Sequence, residues 1–343
     1  MAKTSKTPKA PKARGIAPVI DFHTHINLPE VQAWIRANAK GPSKPRPRVS
    51  RSSAAFQKRQ DKIVQSRSTD MRARIRDMDR AGIDIQVISA HLTHYCYWAP
   101  ARKGLEVAKI FNDRAAEIAA AHPGRFVCLA NVPLQAPKLA VREYERAVGL
   151  GHRGVQISTR TEDKELGDPA LEPFWEAAEA MGLPVYVHPH GFTSTERMGE
   201  YFLWNSIAQP LEEAMAMASI IYSGLLDRYP RLKIVMAHGG GFLPYYAGRV
   251  DRAFEIRPET RANIDRKPSA YMRKFYYDTC VYNADMVQFL AAKVGVGRIV
   301  MGSDYPVFLK EPDPVAFVKK VPGLKPADRR RITGGTAARL LRL

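Results

Sequence analysis

The chain has 343 residues and carries 53 lysines and arginines against 34 aspartates and glutamates, a formal net charge of +19. Apolar residues make up 45% of it, and no uninterrupted apolar run approaches the length of a membrane-spanning helix. Three cysteines far apart, Cys96, Cys128 and Cys280, exclude a disulfide framework and a CxxC zinc site, so a reducing cytoplasm is the expected home.

The first residues, MAKTSKTPKAPKARG, contain no apolar segment of the kind that opens a secretory leader. Lys3, Lys6, Lys9, Lys12 and Arg14 stand there without an acid, and residues 36–76 hold a second basic surplus. A solvated, disordered basic tail is expected over 1–15, followed by one metal-dependent domain over 16–343 with a basic insertion at about 28–70. Within the insertion, GPSKPRPRVSRSS reads as a loop. Neither a stacking-rich RNA motif nor zinc-finger spacing accompanies the charge, so nucleic acid is not an expected partner.

Short β-branched or apolar runs then recur in order: PVIDF (18–22), DIQVIS (84–89), RFVCLANV (125–132), RGVQIS (153–158), PVYVH (184–188), LKIVMAH (232–238), FYYDTC (275–280) and RIVMGSD (298–304). Helical patterns separate them. TDMRARIRDMDRAGI places Met71, Ile75 and Met78 at helical spacing before Gly82. DPALEPFWEAAEAMGLP offers Asp168 as N-cap, Pro169 in the first turn and Gly182 as stop, and NADMVQFLAAKVGVG repeats the format with Asn283 and Gly295. Strands and helices in alternation predict an α/β fold, a (β/α)8 TIM barrel with an insertion after strand 1. A doubly wound open sheet is the alternative, without a GxGxxG or Walker A motif to support a nucleotide-binding version.

Barrel enzymes carry their sites at the C-terminal ends of the strands. Seven of the nine histidines fall there: His23 and His25 after strand 1, His91 and His94 after strand 2, His188 and His190 after strand 5, and His238 after strand 6. Asp304 ends strand 8. His23 and His25 stand two apart, so an extended backbone turns both imidazoles to one side. Imidazoles with one carboxylate are a donor set for zinc or another divalent ion. AHGGG at 237–241 has the form of an esterase oxyanion element, but the GxSxG nucleophile that would accompany it is absent.

Several stretches together give the chain a family likeness: DFHTH, RIRDMDRAGIDIQVIS, YWAP, RFVCLANVPLQAPKLAVREYERAV, GVQIST, VYVHP, RYPRLKIVMAHGGGFLPYYAGRVD and MGSDYP. From about Pro18 to Pro306 it resembles the amidohydrolase superfamily, in the branch of 2-amino-3-carboxymuconate-6-semialdehyde decarboxylase. The resemblance implies that His23, His25, His188 and Asp304 bind one divalent metal, with zinc the expected ion and manganese or iron the alternatives. It makes His238 the catalytic acid/base, with Asp304 able to share proton handling. Arg249 matches an arginine that reaches a neighbouring subunit's site, which implies a homodimer acting on a small carboxylic acid. Trp98, within YWAP, and Trp204 are further candidates for substrate contact.

The chain also departs from that pattern. Lys62 stands where the decarboxylase carries a second carboxylate-binding arginine, and lysine lacks the bidentate fork. Asn205, beside Trp204, falls at a family tryptophan. His91 and His94 replace apolar residues and His190 an aromatic one, so these three are candidates for a second metal or for substrate contact. The expected reaction is nonoxidative decarboxylation of a small unsaturated or aromatic acid. Hydrolysis or hydration through metal-activated water is the alternative, and oxygen activation at two metals is a third reading.

Overall fold

The computed structural model describes residues 17–39, 51–191 and 197–343. The predicted basic tail and residues 40–50 of the predicted insertion lie outside the described residues.

Each of the eight apolar runs contains a strand. The strands are β1 (Ile20–Ile26), β2 (Ile85–Ala90), β3 (Phe126–Cys128), β4 (Ala130–Asn131), β5 (Val155–Ile157), β6 (Val185–Val187), β7 (Ile234–Met236), β8 (Tyr276–Asp278) and β9 (Ile299–Val300), and every pairing between neighbours is parallel. β3 and β4 are one stave interrupted at Leu129. The Leu129 N–H donates back to Ile88 O at 2.9 Å, and the Ala130 N–H donates forward to Gly154 O at 2.8 Å. The last strand meets the first in the same way: Phe22 N–H donates to Met301 O at 2.8 Å and His25 N–H to Tyr305 O at 2.7 Å. A parallel bridge pairs Thr24 with Tyr305. Eight parallel staves joined in a ring are the barrel that the sequence predicts.

The predicted helices form, and their ends show why. Asp70 accepts from Ala73 N–H at 2.9 Å and opens the helix Met71–Ala81, which Gly82 stops at φ 69°. Asn283 accepts from Asp285 N–H at 2.9 Å before Ala284–Val294. Asp168 caps a short 3-10 turn, Pro169–Leu171, so the helix Glu172–Met181 begins a turn later than its cap. The stretch predicted as a loop at 41–53 is corrected at its end: residues 51–53 already belong to the helix Arg51–Thr69.

The barrel interior is filled toward its N-terminal end. Phe22, Val87, Leu129, Tyr186, Val235 and Val300 pack there, with Leu340 and Leu341 of the C-terminal helix Thr336–Leu341 against them. A second apolar layer, with Phe111, Tyr144, Trp175 and Met217, lies between staves and helices. Such packing blocks a through-channel and leaves the C-terminal rim for polar side chains. In β1 the register against β2 slips between Asp21 and Thr24. Phe22 and His23, consecutive in sequence, therefore both reach the ring of Tyr186, at centroid distances of 5.5 and 5.3 Å.

Candidate active site

Seven predicted histidines and Asp304 stand on or just beyond the ends of five staves. His23 and His25 are on β1 itself, and the period of two does what it predicts: their Nε2 atoms lie 3.1 Å apart. Each is oriented through its other ring nitrogen. His23 Nδ1–H donates to Asp278 Oδ2 at 2.7 Å, and His25 Nδ1–H donates to Ala90 O at 3.2 Å. His188 Nδ1–H donates to Pro189 O at 3.0 Å, which leaves its buried Nε2 without a partner. Asp304 Oδ1 lies 3.2 Å from both His23 Nε2 and His25 Nε2.

The Nε2 atoms of His23 and His25 face each other at hydrogen-bond distance, an approach that a proton on one ring or a shared cation between the two stabilises. With the orphan Nε2 of His188 and the Asp304 carboxylate, these atoms form a donor set suited to one divalent ion. His23, His188, His238 and Asp304 each offer a ligand atom within 4.8 Å of the others. The donor chemistry fits the metal that the sequence resemblance implies.

Charge and burial agree with this. Burial alone would raise the Asp304 carboxyl, but the His23 charge, with the His238 and His25 rings close by, holds it well below the carboxylate range. Burial lowers His188 far below the ordinary imidazole value, reinforced by the neighbouring histidines, and so keeps it a neutral donor. His25 is lowered by burial as well. His23 is the exception: burial lowers it, but Asp304 and Asp278 together push it up to about 9. A divalent cation bound to Nε2 satisfies the same negative field that otherwise favours a proton.

His238 sits beside this cluster in a different setting. Its Nδ1 is 2.6 Å from Glu213 Oε1, and its Nε2 is 3.8 Å from Asp304 Oδ2. Burial opposes protonation, but the Glu213 carboxylate outweighs it and raises the imidazole well above its ordinary value. His238 and Asp304 both adopt left-handed backbone, at φ 45° and 63°. That conformation is costly for residues with a Cβ and here sets the direction in which each side chain leaves its strand. The glycines around them answer to close approach: a Cβ on Gly302 would fall 2.7 Å from His23 Cβ, and one on Gly241 2.0 Å from Pro210 O.

A cleft of about 850 Å³ opens over the cluster, lined by His25, His91, His188, His190, His238 and Asp304 among others. His91 Nδ1 accepts from Thr93 N–H at 3.4 Å, so its Nε2–H is left for a ligand. Burial, with His25 and His190 adding to it, lowers His91 to about 3 and keeps it neutral. His94 does not face the cleft: it is buried and its Nε2 bonds Asn27 Oδ1 at 3.0 Å. Among the described residues the possible metal-ligand groups are His23/His188/His238/Asp304 and His23/Asp278/Cys280. Neither contains His91, His94 or His190, nor His25, whose Nε2 nevertheless stands 3.1 Å from His23 Nε2.

Three predicted substrate contacts stand elsewhere in this chain. Lys62 is exposed on the helix Arg51–Thr69, whose cleft-lining residues are Gln57, Asp61, Val64 and Gln65. Trp98 is exposed and leans on Trp34 at 6.1 Å. Arg249 is exposed on the helix Ala247–Ile256, outside the cleft of its own chain. Trp204 lines the cleft.

Asp278 and Glu213 belong to the site but were not selected from the sequence. Asp278 closes β8, the same position on its stave as the predicted ligands, and that placement was a usable signal. Its carboxylate also accepts from Tyr186 O–H at 3.0 Å and from Cys280 N–H at 3.0 Å. Glu213 lies inside the helix Ala208–Tyr222, where an acid among apolar residues hints at a buried role, but nothing local separates it from Glu212. Arg74 supports the site from behind. It is fully buried and donates to His25 O, Thr24 Oγ1 and Gln86 Oε1, each at 2.8 Å.

Comparison with known proteins bears on this geometry. The family model described as amidohydrolase matches residues 20–343. The chain is 32% identical over 282 residues to 2-amino-3-carboxymuconate-6-semialdehyde decarboxylase of Dictyostelium discoideum, covering 82% of this chain and 79% of that protein. The solved structure of 5-carboxyvanillate decarboxylase from Sphingomonas paucimobilis superposes with a TM-score of 0.82 at 26% identity, covering 95% of this chain and 99% of that one. That of dihydroxybenzoic acid decarboxylase from Polaromonas sp. JS666, with bound manganese and the inhibitor 2-nitroresorcinol, gives 0.79 at 27% identity, covering 96% and 98%.

Proposed function

The chain belongs to the amidohydrolase family, and from that membership we propose that it is a metal-dependent carboxy-lyase releasing CO2 from an unsaturated or aromatic acid without an oxidant. The observation that carries this is the convergence of His23, His25 and His188 Nε2 with the Asp304 carboxylate, beside a separately held His238. His23, His25, His188 and Asp304 are the residues that would hold the ion. Zinc is the first choice for three imidazoles and a carboxylate, and manganese, present in the Polaromonas relative, is the second. When bound, the ion supplies Lewis acidity toward a substrate oxygen.

The chain's own residues account for the rest. Decarboxylation replaces CO2 on carbon by a proton. A conjugated phenol, enol or semialdehyde takes up the electron pair as the carbon–carbon bond breaks. His238 is the proton source: Nδ1 is fixed on Glu213, so Nε2 is the atom presented to the cleft, and the paired carboxylate favours a protonated ring. His91, with Nε2–H toward the cleft, positions a polar group of the substrate.

Close to Arg249 in sequence, Tyr246 and Ile256 are exposed apolar side chains. Such side chains suit a contact between two copies of the chain, in which Arg249 reaches the partner's cleft. The three free cysteines are buried, and the reading places the enzyme in the cytoplasm.

The test is metal counting by mass spectrometry on purified protein, followed by CO2 release from a panel of hydroxybenzoates with product identification. One ion per chain and CO2 with the matching phenol are expected. His188→Ala should lose both metal and turnover. His238→Ala should keep the metal and lose turnover by roughly 100-fold or more. Hydrolysis or hydration products without CO2 would refute the carboxy-lyase reading.

A further inference from the structure

The cleft over the metal ligands is much larger than one aromatic ring requires. It measures about 850 Å³, whereas a cavity of roughly 150 Å³ is enough to hold benzene. Beyond the histidines and Asp304 its wall includes Val64, Phe242, Met286, Phe308 and Leu309. Phe308 is not a loose side chain. It meets Phe56 edge-on at 5.7 Å and Phe202 at 5.5 Å, and Phe202 in turn meets Trp204 at 4.8 Å. These four rings come from three separate segments: the helix Arg51–Thr69, the stretch after β6 and the stretch after β9. Each segment leaves a different stave, and the rings join them in one apolar seam beside the cleft. A compact hydroxybenzoate would leave much of this wall in contact with water.

We propose that the substrate is an aromatic acid whose ring carries a bulky apolar arm, the size of a pentyl chain or a second aryl ring, packed against Phe308, Leu309, Phe242 and Val64. The proposal rests on the reading of the cleft as an aromatic-acid site. The physical gain is apolar surface removed from water on both partners, and each methylene so buried is worth a factor of about three to four in affinity.

The test uses the metal-replete full chain and two phenols that are the decarboxylated forms of matched acids, 5-methylresorcinol and 5-pentylresorcinol. In calorimetric titration the pentyl compound should bind once per chain and tighter by on the order of 20-fold or more. Phe308→Ala removes the wall and Val64→Trp fills the space from an exposed helix. With the fold verified by circular dichroism, either should cut the preference to below about fivefold. Equal affinities in the unaltered protein, or a pentyl preference that survives both substitutions, would overturn the proposal. CO2 release from 2,4-dihydroxy-6-methylbenzoate and its 6-pentyl counterpart is followed in parallel. A pentyl preference in binding with no CO2 from either acid would keep the arm site and defeat the carboxy-lyase reading. CO2 from both acids with no preference would do the reverse.

Discussion

Asp278 shows how much of this site depends on residues outside the proposed ligand set of His23, His25, His188 and Asp304. It fixes the His23 ring through Nδ1 and is itself held by Tyr186 and by the backbone of Cys280. Burial would raise its carboxyl, but the charge of His23 keeps it low, so it remains an anion and an acceptor. Asp278→Asn keeps the shape and removes the charge. Such partners of metal-bound histidines typically contribute 10- to 100-fold to affinity. Metal affinity, measured by competition with a chromogenic chelator, is therefore expected to fall by roughly 10-fold or more. Unchanged affinity would show that the ring is held by packing alone. The HxH spacing made the pair legible in the sequence, because strand geometry alone turns both rings one way. Asp278, 255 residues from His23, could only be matched to it once the staves were placed.

At the scale of elements, Asp77 ties three segments together. It sits on the helix Met71–Ala81 and accepts from Arg67 Nε at 2.6 Å, at the end of the helix Arg51–Thr69, and from Tyr305 O–H at 2.8 Å, just past β9. Burial favours its neutral form, but those hydrogen bonds and the Arg67 charge win and lower its carboxyl below the ordinary value. A lowered carboxyl stabilises the fold above the unfolded-state value and stops doing so as pH falls through the folded-state value. Asp77→Asn should thus cost about 1 kcal/mol near neutrality. The gap from the unaltered protein should close as pH falls below about 4, toward the folded-state value. Urea unfolding at a series of pH values checks this, and a gap that persists at acid pH would place the effect in packing instead. The caps of these helices were legible because Asp70, Asn283 and the stopping glycines act within a turn of themselves. The start of the helix Arg51–Thr69 was not, because its polar, mostly exposed sequence lacks an apolar face and follows a proline-rich run.

For the molecule as a whole, the position of Arg249 outside its own cleft gives assembly a measurable consequence. If the residue serves the partner's cleft, an Arg249→Ala chain and a His238→Ala chain are each inactive alone but complementary when mixed. Random reassortment into two-fold dimers then restores activity toward about a quarter of the unaltered level. Sedimentation should show a dimer. A mixture that stays inactive, or a fully active monomer, would give Arg249 a role on the surface only.

The sequence by itself determined the alternation of strands and helices, the barrel that follows from it, and the histidines and Asp304 at strand ends. These rest on periodicity and capping, which act over a few residues, and on a strand geometry common to all barrels. Tertiary structure alone decided which of those histidines share a point in space. It separated His94, buried on Asn27, from His91, which faces the cleft, though both follow β2. It placed Glu213 behind His238 and Asp278 behind His23. It also showed the slip in β1 that brings Phe22 and His23 to the same tyrosine ring. Each of these depends on contacts between staves far apart in the chain, and local sequence carries no term for such contacts until the ring has formed.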